Sequence, residues 1–373
     1  MKKILFLAFD DFSSINGHLL MHLRKHFSNH EIDLVEIKEI LKKNYLVLAL
    51  AVVAVFTEYF FDFASGQKKW RAWRKHLYQT PFIARYFNRV VSQLLAKDNF
   101  SFVFQTQSLF DSGNSRMPNF IYTDHTNLNN LNYPHINPRE YLGTEKYIQL
   151  ERQVYNNATM LMVMSANMRD SLVTQYGVNP AKIKLVYAGS NTKISDAVDR
   201  NKYANKNILF VGKEWERKGG PLLVEAFAEV LKSIPNATLT ILGCKPEVTV
   251  PNCNVVGDVS LEDVAAYYKK ASLFCLPTKR EPFGIVFIEA MLNRLAIVTN
   301  DMGATPEFVH NNENGFRLNH DASEYAKTLM TLLSDPAKCE QFGERSFQMA
   351  IKTYTWDNVG SIISNAIKTI ETR

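Results

Sequence analysis

Short, uninterrupted apolar runs alternate with segments of helical periodicity along this chain, and this alternation limits the possible folds more than any other feature. Strands buried on both faces read as continuous apolar runs, so the alternation predicts an α/β fold with parallel sheets covered by helices. The predicted helices include residues 17–26, 220–233, 261–270 and 284–293. The predicted strands are residues 4–9, 32–37, 102–106, 120–123, 160–165, 183–188, 207–212, 237–243, 253–257, 272–277 and 295–300.

The alternation stops at a polar stretch, residues 190–207, and then restarts. Two sheets in series, each in its own domain, suit a chain of 373 residues. The predicted domains are 1–190 and 205–355, joined by a linker over 191–204.

The basic excess of the chain lies in its first half. Residues 1–190 contain 22 Lys and Arg against 15 Asp and Glu, whereas residues 191–373 contain 21 against 22. The excess concentrates in KKWRAWRKH, Lys68 to His76, where Trp70 and Trp73 are interleaved. This stretch is either a solvated helix face or a contact with an anionic membrane surface, and a single basic cluster argues against nucleic-acid binding.

The run LVLALAVVAVF, residues 46–56, is too short to cross a bilayer, which needs about 20 apolar residues. It predicts a buried helix of the first domain, and the alternative is a helix that dips into a membrane beside the basic stretch. The N-terminal run predicts a strand rather than a secretory signal. The spacing of the four cysteines, Cys244, Cys253, Cys275 and Cys339, is not that of a metal site, so we expect reduced thiols and a cytoplasmic location. Peripheral association with the inner face of the membrane is compatible with this location.

The segment EPFGIVFIEAM, residues 281–291, places a carboxylate on either side of a Pro-Phe-Gly turn. Pro282 favours an extended Glu281 and is itself tolerated in a first helical turn, so Glu281 is predicted in a loop and Glu289 on the second turn of a helix. The first N–H groups of this helix, from Gly284, Ile285 and Val286, form a predicted anion site. An anion site with carboxylates at both ends suits a nucleotide sugar, and the alternative for Glu289 is an exposed helix residue.

Two further segments in the second half lie at predicted junctions of strand, loop and helix. VGKEWERKGGPLL (211–223) places Lys213 and Lys218 before a glycine-rich helix start, and these two cations could neutralise a diphosphate without metal. DMGATPEF (301–308) follows another strand. The carboxyl ends of parallel strands share one edge of a sheet, so the sequence predicts a single site built from the three segments.

Together, GKEWERKGG, REPFGIVFIEAM and DMGATPE resemble the donor domain of family 4 of the retaining glycosyltransferases, with Glu281 and Glu289 matching its E-x7-E pattern. The family more often has Arg where Lys213 stands. YTDHT (122–126), residues 164–191 and YTWDNV (354–359) extend the resemblance more loosely over nearly the whole chain. Where family members often have paired glycines, this chain has Asn16 and Gly17.

The resemblance implies the GT-B fold: two Rossmann-like domains whose parallel sheets face each other across a cleft, with the C-terminal helix, 356–373, crossing back to the first domain. It implies metal-independent transfer of a sugar, with retention, from a nucleotide-diphosphate sugar, UDP- or GDP-linked, to a hydroxyl of a glycan or lipid-linked acceptor, without a further cofactor. The leaving phosphate would help to deprotonate the acceptor, and the protein would mainly orient the reactants and stabilise the diphosphate.

The same resemblance implies a role for individual residues. Sugar contacts would come from Glu281 and, across the cleft, from His125, and Glu289 would bind the ribose. The diphosphate and the rest of the donor would be held by Lys213, Lys218, Phe283, Gly284, Ile285, Val286, Gly17 and Gly257.

Other interpretations stay open at this stage. The chain could be a nucleotide-sugar epimerase of the same fold, or a non-enzymatic protein that binds an anionic surface through residues 68–76. His125 could be a structural histidine or half of a metal site. A carboxylate pair for glycoside hydrolysis would explain neither the lysines nor the anion site.

Overall fold

The structure is a computed structural model that describes residues 2–11, 14–113, 117–192 and 199–371. Part of the predicted linker, 193–198, lies outside these ranges. The chain divides into two compact units. Unit 1 comprises Met1–Asn132, Asn137–Tyr187 and Val359–Arg373, and unit 2 comprises Tyr133–Ile136 and Ala188–Asn358.

Unit 1 contains a parallel sheet of six described strands in the order β2-β1-β3-β4-β5-β6. Its strands are β1 (Lys2–Ala8), β2 (His30–Glu36), β3 (Phe100–Thr106), β4 (Asn119–Thr123), β5 (Met160–Val163) and β6 (Ile183–Leu185). Its helices are α1 (Asn16–His26), α2 (Ile37–Lys42), α3 (Tyr45–Glu58), α4 (Phe60–Ala64), α5 (Pro81–Leu95), α6 (Glu145–Asn157) and α7 (Ala166–Thr174). Short 3-10 helices cover Trp70–His76, Leu128–Asn132, Pro138–Glu140 and Pro180–Lys182.

Unit 2 contains a second parallel sheet of six described strands, in the order β12-β11-β10-β7-β8-β9. Its strands are β7 (Asn207–Val211), β8 (Thr238–Leu242), β9 (Cys253–Gly257), β10 (Leu273–Leu276), β11 (Ala296–Asn300) and β12 (Gly315–Leu318). Its helices are α8 (Gly220–Ser233), α9 (Leu261–Lys270), α10 (Ile285–Leu292), α11 (Thr305–Phe308), α12 (Ala322–Leu333) and α13 (Pro336–Thr353), and a 3-10 helix covers Arg200–Asn205.

The last helix, α14 (Trp356–Glu371), contributes most of its length to unit 1. Its apolar side chains Val359, Ile363 and Ile367 are buried, and Lys368 lies over the ring of Phe27 on the loop after α1. The second half of the chain therefore supplies part of unit 1.

The predicted α/β class with two parallel sheets is confirmed. The sequence analysis missed the edge strand β12, whose four residues GFRL include only two large apolar side chains and no continuous apolar run. Edge strands need less apolar sequence, because one side of the strand lacks a neighbour.

The prediction of a buried helix over residues 46–56 is half wrong. The helix forms as α3, but only Ala51 and Val55 are buried, whereas Leu46, Leu50 and Val53 are 70%, 45% and 58% exposed. Because α3 is apolar on all sides, its sequence could not show which side faces the core. Among the described residues, no helix is both long enough and apolar enough to span a bilayer.

Candidate functional site

The site in unit 2 is built where the strand order reverses. The chain runs from β7 outward to β9, returns to β10 on the other side of β7, and continues to β12. The loops that follow β7 and β10 therefore leave the carboxyl edge of the sheet side by side, with helices leading away in opposite directions. Such a switch point is where open α/β sheets bind ligands. GKEWERKGG occupies one loop and REPFG the other.

An ion pair joins the two loops. The Lys218 ammonium donates a hydrogen bond to Glu281 Oε2, and both side chains are buried. Burial lowers the pKa of Lys218 from its ordinary value, and the neighbouring Glu281 carboxylate opposes that change. From the sequence, Lys218 is predicted to bind a diphosphate and Glu281 a sugar. The structure brings them into contact with each other, so each charge is already compensated.

The backbone of both loops is close-packed around this pair. Gly219, the N-cap of α8, has φ +77°, and a Cβ atom there would lie 1.8 Å from the carbonyl oxygen of Pro277. A Cβ on Gly303, in the third predicted segment, would lie 2.3 Å from the carbonyl oxygen of Glu281. All three segments therefore converge on the Glu281 loop, and two of the approaches require glycine.

The turn after Glu281 has the predicted form. Gly284 is the N-cap residue and α10 starts at Ile285, so the N–H groups of the first turn, including that of Val286, point back toward the loop. Phe283 is buried and packs edge-on against Phe308, with ring centroids 5.1 Å apart. This anchor fixes the direction of α10 relative to the loop that carries Glu281.

Glu289 lies on the second turn of α10, and the alternative that it is an exposed helix residue is wrong. Its side chain is buried and accepts a hydrogen bond of 3.0 Å from the Tyr268 hydroxyl of α9. Burial raises the pKa of Glu289 to about 7, although the bond from Tyr268 acts in the opposite direction. The ribose contact assigned to Glu289 stays a prediction. The sequence offered no signal for Tyr268, which lies 21 residues away.

The remaining predicted donor residues of unit 2 differ in their exposure and contacts. Lys213 is exposed and makes no ion pair with any residue that the structure describes. Gly257 ends β9, and its carbonyl oxygen accepts a 2.7 Å hydrogen bond from the N–H of Gly243. Among the described residues, no group of three His, Cys, Asp or Glu side chains could hold a metal ion, and all four cysteines are free.

The predicted residues of unit 1 lie at the carboxyl edge of its own sheet. His125 follows β4, and its Nε2 atom lies 3.2 Å from Asn130 Oδ1. Gly17 is in the first turn of α1, after β1, and no atom lies within 4 Å of the position that a Cβ would take there. The preceding Asn16 donates through Nδ2 to the Asp10 carbonyl, 3.0 Å away, which holds the start of α1 on the loop after β1.

A buried carboxyl that the sequence analysis missed orders the loop of His125. Glu151 on α6 accepts hydrogen bonds from the hydroxyls of Tyr155 and Tyr176, and from the Asn127 N–H at 3.2 Å. The Tyr155 hydroxyl also lies 3.5 Å from the carbonyl oxygen of His125. Burial raises the pKa of Glu151 to about 7, against the effect of these hydrogen bonds. The spacing of Glu151 and Tyr155 is that of helix neighbours, but nothing in the sequence indicated their burial.

Two family profiles match adjacent parts of this chain. Residues 193–349 match the family described as glycosyl transferases group 1, and residues 62–193 match the family described as Glycosyltransferase Family 4. The fold defines a two-unit α/β protein, and the two profile matches show that the chain belongs to the group 1 glycosyltransferases of family 4, which have the GT-B fold.

The curated relatives share low sequence identity with this chain. A D-inositol 3-phosphate glycosyltransferase of Corynebacterium kroppenstedtii is 25% identical over 55% of this chain and 52% of its own length. Spore coat protein SA of Bacillus subtilis is 23% identical over 59% of this chain and 68% of its own length. The chain therefore spans about half the length of the first of these relatives.

Solved structures show the same fold at low sequence identity. WaaG, a glycosyltransferase involved in lipopolysaccharide biosynthesis, has a TM-score of 0.66 at 14% identity, covering 98% of this chain and 99% of its own. HepE from Anabaena, solved in complex with UDP, has a TM-score of 0.65 at 16% identity, covering 99% and 100%. At this identity the likeness concerns the fold alone.

Proposed function

We propose that this glycosyltransferase takes a nucleotide-diphosphate sugar as donor and transfers the sugar, with retention and without metal, to a hydroxyl of a glycan or lipid-linked acceptor. One observation carries the proposal: a buried lysine and carboxylate meet at the switch point of unit 2, beside the N-terminus of α10. A cation and a helix N-terminus together suit a diphosphate, and a carboxylate beside them suits sugar hydroxyls. HepE, which shares the fold, was solved with UDP, and both UDP- and GDP-sugars stay candidate donors here.

In the proposed reaction, the bond between the anomeric carbon and the diphosphate oxygen breaks while the acceptor oxygen bonds to the same face of that carbon. The electron pair leaves with the nucleoside diphosphate, and the acceptor proton moves to its phosphate oxygen. Lys218, Lys213 and the N–H groups of α10 stabilise the leaving charge. His125 and Glu281 orient the sugar, and Glu289 binds the ribose.

Binding of the donor would then change the partner of Lys218. In the structure its charge is matched by Glu281, and a diphosphate would supply additional negative charge to the same ammonium. The Glu281 carboxylate would turn part of its hydrogen-bonding capacity to the sugar. Peripheral association with the inner face of a cytoplasmic membrane, close to a lipid-linked acceptor, belongs to the same proposal.

The test is calorimetric titration with UDP-, GDP- and ADP-sugars in the presence of EDTA, followed by transfer assays with the donor that binds. Lys213→Ala should weaken donor binding about tenfold or more, because a charge-assisted contact contributes about 1.5–3 kcal/mol. Lys232→Ala, which removes an equally exposed cation on α8 from its pair with Glu229, is the matched control and should bind normally.

Three results would contradict parts of the proposal. Absence of binding by every nucleotide sugar would refute the donor class, and an absolute requirement for a divalent cation would refute metal independence. A stereoisomer of the donor sugar, formed without acceptor, would instead identify an epimerase. NMR of the product's anomeric centre decides retention.

A further inference from the structure

Unit 1 carries an apolar surface that its own fold does not cover. On α3 the exposed side chains Leu46, Leu50 and Val53 follow each other at intervals of four and three residues, so they form one stripe. Phe60 and Phe61, at the start of α4 and shortly after the end of α3, are also exposed, and Phe61 is 82% exposed. We call these five residues the apolar face of α3.

The opposite side of α3 already accounts for its place in the fold. Ala51 belongs to the core cluster of unit 1, and Val55 packs in a second cluster with Tyr59 and Phe63. The apolar face therefore contributes nothing to the core, although each of its side chains would gain free energy on leaving water. A contiguous exposed patch of this kind marks a binding surface.

Cations surround the apolar face. Residues 37–76 contain eight Lys and Arg against three Asp and Glu. Lys42 and Lys43 precede α3, and Lys69, Arg74 and Lys75 follow α4, all with exposed side chains.

The acidic side chains of this segment are all matched by lysines. Glu39 pairs with Lys42, at 2.6 Å, and Glu58 pairs with Lys146, at 3.7 Å. Asp62 lies 4.0 Å from Lys68. The charge left over around the apolar face is therefore positive.

The geometry points to a membrane surface containing anionic phospholipid as the partner of this region. We propose that α3 lies in the plane of the bilayer interface with its apolar face among the acyl chains, while the surrounding lysines and Arg74 contact lipid phosphates. The exposed Trp70 suits the headgroup level. With 14 residues, α3 is about 21 Å long, shorter than a hydrocarbon core of about 30 Å, so it lies on the membrane rather than across it.

The structure also revises which part of the basic stretch is available. Lys68 is buried, and its ammonium donates to the carbonyl oxygens of Arg139 and, at 2.8 Å, Leu142. His76 is buried too, and burial lowers its pKa to about 4, so it carries no charge near neutral pH. Lys68 and His76 are therefore not available for the predicted membrane contact through residues 68–76, and the apolar contribution to the proposed surface comes from α3 and α4.

Flotation of the full-length protein with vesicles tests the proposal. Vesicles of phosphatidylcholine and phosphatidylglycerol in equal parts should carry the protein upward, and pure phosphatidylcholine should carry much less. Leu46→Ser/Phe61→Ser should lower the partition coefficient at least tenfold, because both side chains are exposed and their loss leaves the core intact. Leu261→Ser, at a similarly exposed leucine of unit 2, is the control and should float normally.

A second variant measures the charge contribution. Lys43→Ala/Lys69→Ala/Arg74→Ala should weaken partition onto the vesicles by about fivefold per cation, or about 100-fold in total. Added salt should also weaken the partition of the parent protein. Equal flotation of parent and both variants would overturn the proposal, as would absence of flotation.

A second copy of this chain is the competing occupant of the apolar face, and sedimentation without lipid distinguishes it from a membrane. Concentration-dependent dimers that Leu46→Ser/Phe61→Ser disperses without lipid would show that a second copy covers the apolar face, which also overturns the proposal. Lipid binding by unit 1 needs no donor or acceptor. Flotation and sugar transfer can therefore fail independently, and a failed transfer assay leaves this inference standing.

Discussion

The buried ion pair between Lys218 and Glu281 makes a quantitative prediction about stability. Glu281→Gln keeps the shape of the side chain but leaves the Lys218 ammonium buried without its counter-charge. Breaking such a pair costs about 3–5 kcal/mol. Loss of the Lys218 proton limits this cost, because neutralising a lysine of ordinary pKa at pH 7 takes about 4.6 kcal/mol.

This cost should appear as a lower melting temperature of unit 2. For a unit of its size, 1 kcal/mol corresponds to about 2–4 °C, so a loss of about 3–4.6 kcal/mol should lower the melting temperature of Glu281→Gln by about 6–18 °C. Lys218→Met should lose a comparable amount. The double variant Lys218→Met/Glu281→Gln leaves no buried charge, so it should recover a large part of the sum of the two losses.

The pH dependence gives a second readout with a defined sign. In Glu281→Gln the folded protein holds the proton of Lys218 less tightly than the unfolded chain. Its stability relative to the parent should therefore rise between pH 7 and pH 9.

An exposed pair on α8 supplies the control. Lys232 and Glu229 lie 2.7 Å apart with exposed side chains, so Glu229→Gln should change stability by less than about 0.5 kcal/mol. Scanning calorimetry and urea unfolding at both pH values measure all variants. The reasoning fails if Glu281→Gln costs no more than Glu229→Gln, or if the losses in the double variant simply add.

Two further predictions concern other parts of the molecule. The pKa of Glu151 is raised in the folded protein to about 7, so this carboxyl contributes stability below about pH 4.5 that is lost as the pH rises to about 7. Glu151→Gln should therefore flatten this part of the profile of melting temperature against pH. A profile parallel to that of the parent protein would contradict the raised pKa of Glu151. Gly219→Ala should destabilise unit 2 by more than about 2 kcal/mol, because it adds a clash with Pro277 to the cost of a positive φ. Gly177→Ala, at φ +69° with open space around it, should show the backbone cost alone, about 1 kcal/mol, and equal losses would refute the clash.

The sequence predicted the parts of the fold that depend on local pattern. Runs such as NILFVG and SLFCLP are strands because their uninterrupted apolar side chains need burial on both faces, and the turn at Gly284 follows from the residues around Pro282. The exposure of Leu46 was not predictable, because an all-apolar helix carries no marker of its outer side.

The contacts of the candidate site depend instead on strand order. Lys218 and Glu281 lie 63 residues apart, and they meet only because β10 returns to the other side of β7. The bond from Tyr268 to Glu289 likewise depends on how α9 packs beside α10. Local sequence names such residues as candidates, and topology decides which of them touch.

The division of α14 has a consequence for biosynthesis. Val359, Ile363 and Ile367 complete unit 1, yet the ribosome makes them only after all of unit 2. Unit 1 therefore emerges first but cannot finish folding until translation has passed residue 367, and the surface that receives α14 stays uncovered in the meantime. Nascent chains arrested before residue 359 should hold a protease-sensitive unit 1 even where unit 2 has already become resistant.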